Sequence, residues 1–151
     1  MNTYSIGKRT IVVFSFLAII IAVSSFGAGC SAGGNPEVDK SFEGSWTGTV
    51  TALDGNSSVV NLALQQTGTS TLIYKGLRGC TLTVEFLKNT GDNGREYSIT
   101  NSSGGFCDNL LPGKLSLRKQ GDKSLSCELA SLNNKLPTPI SEKGTLSRLG
   151  K

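Results

Sequence analysis

The chain reads as all-β: a single antiparallel, eight-stranded, up-and-down β-barrel, with a β-sandwich of the same strands as the alternative. Three observations lead there. Beyond residue 42 the apolar residues alternate with polar ones, which is the strand period. Nineteen glycines, with many Thr and Ser, break that alternation into short runs. The connections between runs are short, which favours antiparallel neighbours. About eight strands is the count at which a closed barrel is just filled by side chains or holds one small ligand. Closure also removes the free edges that an exported all-β chain would otherwise expose.

The runs follow in order. "WTGTVTAL" (46–53) sets Trp46, Val50 and Ala52 on one face and Thr47, Thr49 and Thr51 on the other. "DGNSS" (54–58) is a turn cluster. "VVNLALQQ" (59–66) carries Val60, Leu62 and Leu64 in one register, and "TLIYKGL" (71–77) is the third strand. "CTLTVEFLK" (80–88) faces Cys80, Leu82, Val84 and Phe86 inward against Thr81, Thr83 and Glu85 outward. The loop "NTGDNG" (89–94) leads to "REYSIT" (95–100), where Tyr97 and Ile99 share a face. "KLSLRK" (114–119) and "KSLSCELA" (123–130) form a hairpin about "QGD", with Cys127 expected opposite Leu115. After a loop holding Pro137 and Pro139, "KGTLSRLG" (143–150) is the last strand. The expected interior lining is Val50, Leu62, Leu64, Leu82, Val84, Phe86, Ile99, Leu117 and Leu125.

The first thirty residues have another character. Lys8 and Arg9 precede the thirteen-residue apolar run "IVVFSFLAIIIAV" (11–23), and small residues then lead to "GAGC" ending at Cys30. That succession is a secretory signal, and its run is shorter than the roughly 20 residues of a membrane-spanning helix. With Ala28 and Gly29 before Cys30, the segment resembles the lipobox of bacterial lipoproteins, although Gly27 stands where that pattern has an aliphatic residue. The resemblance implies cleavage after residue 29, acylation of Cys30, and anchoring to the membrane by buried acyl chains. Ser31 in the following position implies the outer membrane of the cell envelope. An ordinary signal peptide and an uncleaved anchor are the alternatives. Residues 30–41 then read as the lipidated cysteine and a flexible tether, and 42–151 as the barrel domain.

The sequence "GSW" (Gly44 to Trp46), at the head of the first strand, resembles the G-x-W of the lipocalins and the wider calycin group. In that group the tryptophan closes the barrel floor and an arginine of the final strand packs across its ring. Arg148 in "GTLSRLG" stands in the matching place, so Gly44, Trp46 and Arg148 are the implied closure residues. The T-D-Y element of lipocalins is missing.

Loss of Lys8 and Arg9 takes fifteen basic residues to thirteen, against eleven acidic ones. That balance, with no basic cluster interleaved with aromatics, points away from nucleic acid. There is no histidine, which removes Ser-His, Cys-His and His-metal chemistry. "TGDNG" lacks the remaining ligands of a calcium loop, and "GDKS" is too short for a phosphate loop. No cofactor, metal site or catalytic residue is expected, and the chain reads as non-enzymatic. Of the three remaining thiols, strand pairing brings Cys80 near Cys107, with Cys80–Cys127 as the alternative bridge and Cys127 otherwise a small buried hydrophobe. The expectation for function is a membrane-anchored binding module, taking a small apolar ligand or packed solid inside. It would recognise partners through loops 54–58, 89–94 and 131–142 at the end opposite Trp46. The alternative is a protein–protein role, as a protease inhibitor or an envelope accessory.

Overall fold

The computed structural model describes residues 40–150. The expected signal peptide, Cys30 and the tether up to residue 39 lie outside the described residues. Lys40–Phe42 makes one 3-10 turn, and eight strands follow. They are β1 (Gly44–Ala52), β2 (Ser57–Leu64), β3 (Ser70–Tyr74), β4 (Thr81–Asn89), β5 (Gly94–Ser102), β6 (Gly113–Lys119), β7 (Ser124–Ser131) and β8 (Ser141–Arg148). Each pairs antiparallel with the next, and β8 returns to β1, which closes the barrel. The seam runs from Trp46 opposite Arg148 to Ala52 opposite Glu142. The sandwich alternative is thereby excluded.

Alternation sends the inward residues of all eight strands into one core. Val50, Val60, Leu72, Leu82, Val84, Leu115, Leu125, Leu129 and Leu146 have no accessible surface at all. Of the expected lining, Leu62, Leu64, Ile99 and Leu117 are exposed by 4 % or less. A void wide enough for water would leave accessible surface on the side chains around it. These side chains have almost none, so this part of the barrel is filled by its own side chains.

Phe86 departs from the expectation. It keeps the inward register opposite Tyr97, yet 54 % of it is exposed. The short strand β3 covers β4 only as far as Val84, so Phe86 lies beyond the wall that would have enclosed it. A bulge at Leu87 then shifts the β4–β5 register. Several strand limits also differ. β3 ends at Tyr74 rather than 77, because Gly76 at φ +74° turns the chain into a 3-10 turn, Gly76–Arg78. β8 starts two residues early, at Ser141. The β6–β7 turn is longer than "QGD", which sets Cys127 opposite Leu117 and Leu115 opposite Leu129.

Up-and-down order assigns the connections to two ends. The turns at 65–69, 90–93 and 120–123 lie at the Trp46 end. The connections 53–56, 75–80, 103–112 and 132–140 lie at the opposite, loop end. The 89–94 loop therefore belongs with Trp46, and not with 54–58 and 131–142 as expected.

Two inward glycines let the seam close. A Cβ on Gly48 would stand 2.1 Å from the Thr145 carbonyl oxygen, and one on Gly144 would stand 1.9 Å from that of Thr49. Backbone rather than side chain is met in both cases, so the strands would have to part. Gly144→Ala is expected to destabilise the fold by about 1–3 kcal/mol, as overpacking does. The check is a lowered urea midpoint with unchanged far-ultraviolet dichroism.

Candidate functional site

The Trp46 end is plugged by aromatic rings under cations. Trp46 is buried and donates its indole N–H to the Phe42 carbonyl at 2.9 Å. The Arg148 guanidinium lies 4.2 Å from the Trp46 ring centre. Its Nη1 donates to the Glu43 carbonyl at 2.6 Å and its Nη2 to the Ser41 carbonyl. The end of the last strand thus fastens the segment that leads into the first. Gly44 is needed because its φ is +114° and a Cβ would meet Arg148 Nη1 at 3.0 Å. Phe42 is buried as well, with Arg95 Cζ 4.6 Å and Lys119 Nζ 4.9 Å from its ring centre. Tyr97 meets the half-exposed Phe86 edge-on at 5.9 Å.

The loop end is closed by a flap. Cys80, just before β4, is bonded to Cys107 in the 3-10 turn Gly105–Leu110. That bridge holds Phe106, Cys107 and Leu110 across the barrel mouth, where Cys107 and Leu110 are wholly buried. Cys127 is free and buried within β7, and burial pushes its thiol up to about 12. Such a thiol stays protonated and unreactive in the native state.

Beneath the flap sits a charged cluster. Glu142, at the head of β8, has no accessible surface. It accepts a hydrogen bond from the Tyr74 hydroxyl at 2.5 Å and an ion pair from Arg78 Nη1. The Arg78 guanidinium in turn lies 4.0 Å from the Phe106 ring centre, and Phe106 stacks edge-on against Tyr74 at 5.4 Å. A hollow of about 270 Å³ opens above Glu142, walled by Leu53, Phe106, Pro139 and Ile140. A second hollow, of about 510 Å³, runs between residues 56–59 and 75–78. Arg78 borders both. Around them Leu53 and Leu77 project into solvent, and Val59 and Leu132 are at least half exposed. Asp54 accepts the Asn56 backbone N–H at 2.9 Å, which fixes the β1–β2 turn and holds that carboxyl below its ordinary value. Chemically the arrangement offers hydrogen bonds, one arginine edge and apolar walls, which is equipment for binding.

Glu142 is an acidic residue on an inward face, just ahead of the strand expected from residue 143. Its alternation with Gly144, Leu146 and Arg148 was present in the sequence, but starting the strand at residue 143 hid it. Arg95, 7 % exposed, likewise shares the inward register of Tyr97 and Ile99. Arg78 and Phe106 lie outside strands, so no periodicity marked them.

No protein-family model and no curated protein matches the sequence. Among solved structures the fold is similar to that of EF1p2_mFAP2b, solved bound to DFHBI. That match has 15% identity and a TM-score of 0.54, over 74% of this chain and 97% of that one. It is also similar to a redesigned beta barrel, b11L5F_LGL, at 16% identity and TM-score 0.52, over 75% and 96% of the two chains. At such identities the likeness is one of fold.

Two outcomes follow for these ends. Arg148→Ala is expected to cost about 2–3 kcal/mol, from the lost ring contact and the hydrogen bonds to two carbonyls. The Trp46 emission should move to longer wavelength as water reaches the indole. At the other end, burial and then the bond to Glu142 raise the Tyr74 hydroxyl above its ordinary 10.0. Burial raises Tyr97 in the same direction. The folded hydroxyls keep protons that the unfolded chain loses. The stability these two hydroxyls contribute is therefore fully present below pH 10 and is lost as pH rises through 10.0 towards the folded values, on top of a loss from the buried Cys127 thiol that begins near 9.0. Absorbance at 295 nm should show Tyr74 and Tyr97 ionising together with unfolding rather than before it.

Proposed function

We propose that this chain is a lipid-anchored, non-enzymatic binding module of the bacterial envelope, tethered through Cys30, that recognises its partner with the loop end of the barrel. The single observation that carries the reading is the pairing of the buried Glu142 with the buried Tyr74 hydroxyl and the part-buried Arg78 at the hollow of that end. A buried ion pair adds little stability over well-packed apolar residues, and breaking it costs about 3–5 kcal/mol. Its place beside two hollows, among Leu53, Leu77 and Phe106, fits a surface built for recognition. A barrel of this fold serves a small molecule in EF1p2_mFAP2b, which was solved with DFHBI. In the present chain the tightly buried side chains Val50, Leu82, Leu117 and Leu125 favour the loop end over the interior as the place for any ligand.

The test uses the protein lacking residues 1–30 as bait in envelope extracts, beside the double variant Leu53→Ser/Leu77→Ser. A stoichiometric protein captured by the parent and lost from the variant is the expected result. Lipid co-purifying equally with both, together with saturable binding of a fluorescent fatty acid, would instead establish an interior site and overturn the loop-end reading.

A further inference from the structure

β3 has five residues between the eight of β2 and the nine of β4, and its shortness leaves a strand edge open at the loop end. It pairs with β2 only from Ala63 to Val60. One more bond follows, from the Lys75 N–H to the Val59 carbonyl at 2.9 Å, before Gly76 turns the chain away. Along a strand, backbone groups point to the same side at every second residue. Ser57 therefore turns its N–H and carbonyl to the side that Val59 shares with Lys75, where β3 no longer runs. The bond from the Ala52 N–H to the Asn56 carbonyl fixes the same parity, because it sets Asn56 towards β1. Among the described residues, no turn or loop backbone group bonds Ser57 on the open side. Its hydroxyl meets that of Thr51 at 2.8 Å instead.

This edge borders the hollow of about 510 Å³ between residues 56–59 and 75–78, a volume within the range of ligand sites. The charge there is one-sided: Lys75 and Arg78 line the hollow, and no acidic side chain does. Glu142 takes Nη1 of Arg78 from beneath. Asp54 borders the neighbouring hollow, with its carboxyl bonded by Asn56. Val59, half exposed, and Leu77, wholly exposed, supply apolar surface at the rim. We infer that this groove takes an extended, acidic segment of a partner protein, which adds as a short strand against Ser57. The segment's backbone bonds Ser57, its carboxylate faces Lys75 and Arg78, and its apolar side chains lie against Val59 and Leu77. The inference rests on the loop-end reading above and names what the partner presents there. β3 also leaves β4 uncovered beyond Val84, but Glu85 and Lys88 offset each other along that edge.

The probe is a short, end-blocked peptide alternating valine with glutamate. It is titrated into the isotope-labelled protein lacking residues 1–30, which keeps the closed barrel and its core. Saturable shifts of the Ser57 and Lys75 amide signals are expected, weakening with salt and absent when lysine replaces glutamate in the peptide. Lys75→Glu, at an exposed position, should weaken the binding about fivefold. N-methylation of alternate peptide residues removes strand bonds without touching the protein, and one of the two alternate sets should abolish binding. Absence of binding, equal binding of the acidic and basic peptides, or binding that survives both methylated sets overturns the inference. So do shifts confined to residues 85–89, which would place the added strand on β4. Capture from envelope extracts separates this inference from the reading beneath it. A protein lost from Leu53→Ser/Leu77→Ser but retained by Lys75→Glu, beside absent peptide binding, refutes the added strand alone. A protein captured equally by the parent and both variants refutes the loop-end reading.

Discussion

The structure depends on the closure of β8 onto β1, and that seam is fastened at its end by Arg148 over Trp46. A barrel gains from closure only if the last strand to arrive is held. Its loop-closure cost spans the whole domain, since the two strands are the most distant in sequence. One side chain answers that cost in two ways at once. It covers the indole and bonds the carbonyls of Ser41 and Glu43. Gly44, Gly48 and Gly144 are consequences of the same constraint. Each is a place where any side chain would keep the seam or its fastening apart.

The barrel's two ends solve the problem of capping a cylinder differently. At the Trp46 end, rings fill the opening and cations lie over their faces, which satisfies the rings without burying a carbonyl unpaired. At the loop end a disulfide holds a short flap, and beneath it a full negative charge is taken out of water. Glu142 tolerates this because Arg78 and the Tyr74 hydroxyl meet both of its oxygens. Nothing about filling a small apolar barrel demands such a charge. Packing of leucine and valine between the ends already accounts for the middle of the core.

This division gives the molecule a direction. At the end where the described chain begins, cations lie over the closing rings, and the far end carries hollows and projecting leucines.

Much of the fold was legible in the residues themselves. Period-two alternation in "CTLTVEFLK" and "VVNLALQQ" decides inside from outside wherever both neighbouring strands are present, and turn residues bound the strands. That alternation is a local property of backbone geometry, so the sequence alone determined strand number, most inward faces and the pairing partner of the first strand. What it left open depended on neighbours. Phe86 obeys the pattern and is still exposed, because the length of β3, and not the residue, decides how far the wall extends. Glu142 looks like a solvated loop residue until β8 is seen to begin before it. Arg78 and Phe106 meet only because a disulfide folds one connection over another. Burial, end assignment and the charged cluster are sums over distant strands, and only the closed tertiary structure supplies those sums.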